Sequence, residues 1–127
     1  MIRTVVIDIA PMGKPRITRQ GKYDPKLKPY WGYCELIRAT FWNLGIRALP
    51  GNLSMVFSFR RPAGVKTERH EKRPDVDNLQ KAALDSLFKN DGLVYKITAE
   101  KVYGPDQICI TFDDTLPGHE IKRPGQY

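Results

Sequence analysis

The sequence predicts a two-layer α/β domain in which two helices pack on one face of a mixed sheet of about four strands. Three observations support this prediction: the chain has 127 residues, four segments alternate apolar and polar residues, and two segments repeat apolar residues at helical spacing. A chain of this length forms one domain with a sizeable core. We therefore expect a single α/β (α+β two-layer) domain over residues 1–114, followed by a polar tail at 115–127.

A strand, a helix and a second strand are expected in the first half of the chain. Apolar residues alternate over about 2–10 and again over 53–59, which is typical of strands with one buried face. Between them, apolar residues recur every three or four positions over 30–44. Because Pro29 precedes this segment and Gly45 follows its last apolar residue, the helix is expected to begin after Pro29 and to end near Gly45.

The second half predicts a helix followed by two strands, which completes the order β-α-β-α-β-β. Residues 76–88 place their apolar side chains on one helical stripe, and residues 95–99 and 108–112 alternate again. The sequence Gly104-Pro105-Asp106 lies between these two strands and is typical of a tight turn. The last two strands are therefore expected to form a hairpin.

Positive charge is concentrated in two predicted loops. The chain has a formal net charge of +7; residues 11–29 hold six basic residues and one acidic residue, and residues 60–73 hold six basic and two acidic residues. Solvated flexible loops would explain this pattern, but two such loops on a small domain favour a nucleic acid as partner. The candidate DNA-backbone contacts are Lys14, Arg16, Arg19, Lys22, Arg69, Lys72 and Arg73.

Several other kinds of site and protein are disfavoured. Cys34 and Cys109 are too far apart for a CxxC clip, and His70 and His119 lack metal-ligand spacing, so neither a disulfide nor a zinc site is expected. No apolar run approaches the roughly 20 residues of a membrane span, and no signal sequence opens the chain, so we expect a cytoplasmic protein. The glycine fingerprints of nucleotide-binding loops are also missing, and no small-molecule cofactor is expected.

The segment that most resembles a catalytic site surrounds the start of the second predicted helix. Asp75 and Asp77 straddle that start, where their carboxylates can share a cation that prefers oxygen ligands. Lys81 follows Asp77 by one helical turn on the same face. A chain turning back beside the helix would bring Asp91 towards the pair, and a divalent cation would relieve the repulsion between the acids. Basic loops beside such acids suit metal-dependent cleavage of a phosphodiester.

A purely structural explanation of the same residues is open. Aspartate is a preferred N-cap, and acids in the first turn complement the helix dipole, so Asp75 and Asp77 need no metal. Asn-Asp-Gly at 90–92 is also an ordinary turn sequence. Lys81 can pair with Asp77 and with Asp85, which lies one turn further along the helix.

This segment resembles a known family. The run Asp75-Val76-Asp77-Asn78-Leu79-Gln80-Lys81, continued to Leu87 and followed by Asn90-Asp91, closely resembles the RusA-type Holliday-junction resolvases, which are common in phages and prophages. That family shows D-x-D-N-L-x-K on a helix, with a further Asp before the next strand. The opening at 11–16 is similar to the proline- and basic-rich start of its phage members. The specific motif covers residues 73–94.

The resemblance implies a homodimeric endonuclease that depends on Mg²⁺, with Mn²⁺ as an alternative cation. Its substrate would be a four-way DNA junction, cut by paired symmetric nicks that leave 5′-phosphate and 3′-hydroxyl ends in recombination and repair. The family's catalytic and metal-binding aspartates fall on Asp75, Asp77 and Asp91, and its catalytic lysine falls on Lys81. Family members often carry a second acid directly before the last aspartate, where this chain has Asn90.

Two alternatives stay open on the sequence alone. One is a broader nuclease that cuts forks or flaps as readily as four-way junctions. The other is a basic nucleic-acid-binding module without catalysis, in which the aspartates serve only as helix caps. Mg²⁺-dependent nicking of a junction separates the nuclease from the binding module, and competition between branched substrates separates the two nucleases.

Overall fold

The computed structural model describes residues 1–15, 27–70 and 73–125. It contains, in chain order, β1 (Ile2–Ile7), α1 (Lys28–Asn43), β2 (Ala48–Leu49), β3 (Asn52–Phe59), α2 (Val76–Leu87), β4 (Lys96–Tyr103), β5 (Gln107–Asp113) and β6 (His119–Glu120). A 3₁₀ turn at Asp91–Leu93 separates α2 from β4. The predicted fold class and the order of the main elements are confirmed. The two-residue strands β2 and β6 were not predicted.

The main sheet has the strand order β1-β5-β3-β4. β1 and β3 both pair antiparallel with β5, whereas β3 and β4 run parallel, from Asn52 opposite Lys96 to Phe59 opposite Tyr103. α2 is the crossover between the two parallel strands and runs back along them. The start of α2 therefore lies at the carboxyl ends of β3 and β4.

The predicted hairpin between the last two main strands is wrong, because β3 lies between β4 and β5. The crossover helix brings β4 to one side of β3, and β5 takes the other side. The turn between them passes over the end of β3, where the Gly104 amide donates to the Phe59 carbonyl over 2.8 Å and the Arg60 amide donates to Asp106 Oδ1 over 2.8 Å. A Cβ on Gly104 would lie 2.7 Å from Ser58 Oγ, so a side chain at this close crossing would force Ser58 to move.

The core lies between the sheet and the two helices. Every second residue of β3 and β5 is buried on the helix side, as the alternation predicts: Leu53, Met55, Phe57, Ile108, Ile110 and Phe112. The helices contribute side chains from one stripe each, including Ile37, Phe41, Leu79, Ala83 and Leu87. Both helices thus cover the same face of the sheet. No helix in the described part of the chain is long and apolar enough to span a membrane.

The element boundaries differ in detail from the sequence expectation. β1 ends at Ile7, earlier than predicted, because the Ile9 amide turns back to donate to the Ile7 carbonyl. β4 continues to Tyr103. Residues 119–122 are held against the domain: β6 pairs with β2, Ile121 is buried, and the Lys122 carbonyl accepts a hydrogen bond from Trp42 Nε1 over 3.0 Å.

Candidate active site

Asp75 is the N-cap residue of α2, but its side chain makes no capping hydrogen bond. The helix begins instead on the Asp75 backbone carbonyl, which accepts from the amides of Asn78 and Leu79 over 3.1 Å each. The helix therefore begins without a hydrogen bond to this carboxylate. This geometry argues against the explanation of Asp75 as a side-chain cap.

Asp77 and Lys81 lie on the exposed side of α2. Lys81 Nζ is 3.9 Å from Asp77 Oδ2, and the two side chains are 62% and 69% exposed, respectively. An exposed pair of this kind on one helix contributes only about 0.3–0.5 kcal/mol to stability. Both groups can therefore turn towards a ligand at little structural cost.

Asp91 lies at the opposite end of α2 from Asp75. It opens the 3₁₀ turn after the helix, and four residues later the Tyr95 amide donates to the Gly51 carbonyl over 2.9 Å, next to the start of β3. The 12 residues of α2 span about 18 Å. Within one chain, Asp91 therefore does not turn back to the Asp75–Asp77 pair, contrary to the expectation from the sequence.

The three predicted aspartates accordingly form no preassembled cluster in a single chain. Over residues 1–15, 27–70 and 73–125, no group of three His, Cys, Asp or Glu side chains is arranged to hold a metal ion. The turn at Asp91 is instead organised by Asn90, whose Oδ1 accepts from the Gly92 amide over 2.9 Å. Asn90 thus has a structural role at the place where family members often carry an acid.

The segment around Lys14 packs along the side of α2. Lys14 Nζ lies 2.6 Å from Asp85 Oδ2, and the Lys14 amide donates to the Asn78 carbonyl over 3.4 Å. Asp85, a candidate partner of Lys81 in the sequence, thus pairs with Lys14. The Tyr30 hydroxyl donates to the same Asp85 oxygen over 3.5 Å, and burial raises the pKa of Tyr30 above its ordinary value.

The loop after β3 is anchored by aromatic contacts at the carboxyl ends of β3 and β4. The His70 ring lies 4.5 Å from that of Phe59 and 5.0 Å from that of Tyr103, between centroids. The Arg61 guanidinium lies 4.9 Å from the Tyr103 ring centroid. This anchor was not predicted, although the strand alternation places both aromatic residues on the helix side. It holds part of the basic segment near the start of α2.

The remaining predicted DNA contacts fall into two groups. Arg69 and Arg73 are exposed, at the loop that leads into α2. Four residues lie outside the described part of the chain: Arg16, Arg19, Lys22 and Lys72.

The far end of α2 is fixed by donors from two other segments and from its own C-cap residue. Lys122 Nζ donates to the Asp85 carbonyl over 2.8 Å, and the Lys122 amide donates to the Leu87 carbonyl over 2.7 Å. The Ser86 carbonyl accepts from Arg38 Nε over 2.6 Å, and that of Leu84 from the Phe88 amide over 2.8 Å. Burial, followed by the charge of Arg38, lowers the pKa of Lys122. These cations also complement the negative end of the helix dipole.

Comparison with known protein families identifies the family of this chain. The family model described as endodeoxyribonuclease RusA matches residues 7–111 of the 127-residue chain. This range includes every aspartate and lysine of the candidate site. A search of the curated proteins finds no match.

Proposed function

Because the chain belongs to the RusA endodeoxyribonuclease family, we propose that it is a Mg²⁺-dependent nuclease that resolves four-way DNA junctions by paired symmetric nicks. Membership in this family implies an endonuclease acting on branched DNA. One observation supports a metal-dependent nuclease most directly: the carboxylates of Asp75 and Asp77 both lie at the start of α2. The Asp75 side chain makes no capping hydrogen bond, and the Asp77 side chain is largely exposed. Recombination and repair are the processes that such an activity would serve.

The residues at the start of α2 suit a divalent cation. Carboxylate oxygens are the ligands that Mg²⁺ and Mn²⁺ prefer, and the carboxylates of Asp75 and Asp77, two residues apart at the start of α2, would supply two of them. We assign Asp75 and Asp77 as ligands from one chain. A third carboxylate must come from elsewhere, because Asp91 of the same chain lies about one helix length away, roughly 18 Å.

A homodimer would supply that third carboxylate. In this proposal Asp91 of each protomer completes the site formed by Asp75 and Asp77 of its partner. The exposed apolar side chains beside Asp91 support a protein contact at this corner, since Leu93 is 37% and Tyr95 is 72% exposed. Two symmetric sites then act on two opposing strands of one junction.

The residues of the chain have separate tasks in the proposed reaction. A bound cation would lower the pKa of the attacking water and offset the negative charge of the scissile phosphate. Lys81 holds its ammonium near Asp77 and can extend it to a phosphate oxygen, where it stabilises the charge that develops during attack or orients the attacking water. Cleavage of the bond to the 3′ oxygen leaves 5′-phosphate and 3′-hydroxyl ends.

The basic residues around the site would bind the junction arms through their phosphates. Arg69 and Arg73 are exposed on the loop that leads into α2, close in sequence to the acids. Contacts of this kind make binding steeply dependent on salt and provide little recognition of base sequence. Lys14 belongs to the same surface if DNA displaces it from Asp85.

The test is cleavage of a labelled immobile four-way junction, with a linear duplex of the same sequence as control. We expect symmetric nicks in the junction that require Mg²⁺ and are lost in Asp75→Asn. Asp114→Asn is the matched control, because Asp114 is an exposed acid that pairs only with the amino terminus among the described contacts. Binding without nicking of any branched DNA would favour the non-catalytic module. Equal cutting of forks and flaps would favour the broader nuclease.

A further inference from the structure

A lysine takes a core-facing position near the candidate site. Lys101 lies on β4, where Ile97 and Ala99 face α2 from the same side of the strand. It is opposite Phe57, which is fully buried, in the neighbouring strand β3. Lysines usually occupy solvent-facing positions of a strand, so the half-buried Lys101 interrupts an otherwise apolar face.

The ammonium of Lys101 binds the backbone directly before the first aspartate. Lys101 Nζ donates to the Pro74 carbonyl over 3.1 Å. Pro74 is joined to Asp75, whose own carbonyl begins α2 by accepting from two amides of the first turn. The lysine thus restrains the peptide from which Asp75 and Asp77 project.

We propose that Lys101 is a positioning residue of the nuclease site, which fixes the entrance to α2 and thereby the direction of the Asp75 and Asp77 carboxylates. The inference rests on the proposed function. Mutation of a residue that orients metal ligands from outside the coordination sphere commonly lowers metal affinity or activity by about 10–100-fold. Lys101 would act in this way through the backbone and would not touch the phosphate.

Lys101→Met tests the proposal, because it retains most of the apolar stem and removes the ammonium. We expect junction cleavage at saturating Mg²⁺ to fall by at least about tenfold and Mn²⁺ binding to the DNA-free protein, measured by calorimetry, to weaken. Amide hydrogen exchange of Asn78 and Leu79 should become faster, because their shared acceptor is less firmly held. Lys101→Arg should recover most of the activity, since arginine can donate to the same carbonyl.

Lys96→Met is the matched control, because Lys96 is an exposed lysine at the other end of β4. It removes the same charge and should leave all three readouts near the wild-type values. Unchanged or tighter Mn²⁺ binding in Lys101→Met would overturn the proposal, since a lysine that only repelled the cation would give that result. If the wild-type chain itself cuts no junction, the proposed function fails, and the role of Lys101 fails with it.

Discussion

Arg38, whose side chain is only 1% exposed, donates from Nε to the carbonyl oxygen of Ser86 over 2.6 Å. The bond joins the middle of α1 to the last turn of α2, and Glu35 balances the charge with Oε2 at 3.5 Å from Arg38 Nη1. A buried guanidinium is costly to desolvate, so its partners are needed to keep it in place. The helix that carries Asp75 and Asp77 is therefore held at its far end by a buried cation.

Replacing this arginine should destabilise the whole domain. Arg38→Met leaves the Ser86 carbonyl buried without its donor, and we expect a loss of about 2 kcal/mol or more in the free energy of unfolding. Urea denaturation followed by circular dichroism measures this loss. Arg47→Met is the control, because Arg47 is exposed and donates to the Trp42 carbonyl at the end of α1. Equal losses in the two variants would contradict a special role for the buried bond.

Gly13 and Gly32 should respond in opposite directions to the same substitution. A Cβ on Gly13 would lie 2.7 Å from Asn78 Nδ2 and 3.0 Å from Pro74 Cβ, so Gly13→Ala must displace the Asn78 side chain or the segment that carries Lys14. We expect a loss of about 1–2 kcal/mol. Gly32 lies within α1 with no neighbour within 4 Å of the added atom, and Gly32→Ala should stabilise by about 0.5–1 kcal/mol. Thermal unfolding of both variants measures the contrast, and two shifts of the same sign would refute it.

Mixed dimers test whether two chains share one site. Asp75→Asn and Asp91→Asn should each abolish cleavage alone. If Asp91 acts in the partner's site, a dimer with one chain of each kind has one site with both changes and one intact site. We therefore expect the mixed dimer, co-expressed with two affinity tags, to nick one junction strand at a rate near that of a single wild-type site.

A site formed within one chain would give the opposite result. Both sites of the mixed dimer would then carry one change, and no nicking would return. The control is a dimer of Asp75→Asn with the wild-type chain, which retains one intact site under either arrangement. It shows that a single active site gives a measurable nick.

Tyr30→Phe should make the domain more resistant to alkali. Burial raises the pKa of Tyr30 above its ordinary value of 10.0, and the charges of Cys34 and Asp85 add to this shift. Above pH 10 the folded state thus keeps the hydroxyl protonated while the unfolded chain ionises. The contribution of Tyr30 to the free energy of unfolding is therefore intact below pH 10 and is lost as the pH rises above it.

The measurement is the free energy of unfolding of both proteins at pH 7 and at pH 10.5 and above. At pH 7 the two free energies of unfolding should be similar, because the hydrogen bond from the hydroxyl to Asp85 is long, at 3.5 Å. Above pH 10 the free energy of unfolding of the variant should rise relative to that of the wild type, by at most about 1.4 kcal/mol per pH unit. A constant difference across this range would show that Tyr30 ionises normally in the folded state.

Local patterns in the sequence determined the main elements. Alternation of apolar residues over 53–59, and the helical stripe over 76–88, predict β3 and α2 because side-chain direction repeats every two or 3.6 residues whatever the rest of the chain does. Asp75, Asp77 and Lys81 were proposed from their spacing along this same helix. The resemblance to the family rests on the same short stretch and agrees with the match over residues 7–111.

Strand order, the position of Asp91 and the contact of Lys101 with Pro74 were decided only by the tertiary structure. The turn at Gly104 is compatible with a hairpin, and it is the position of β3 between β4 and β5 that excludes one. Asp91 is close to Asp77 in sequence but is separated from it by the length of α2. Contacts such as Lys101 with Pro74 and Arg38 with Ser86 join residues 27 and 48 positions apart, and no local periodicity records them. They arise when the helices close over the sheet and each buried polar group must find a partner.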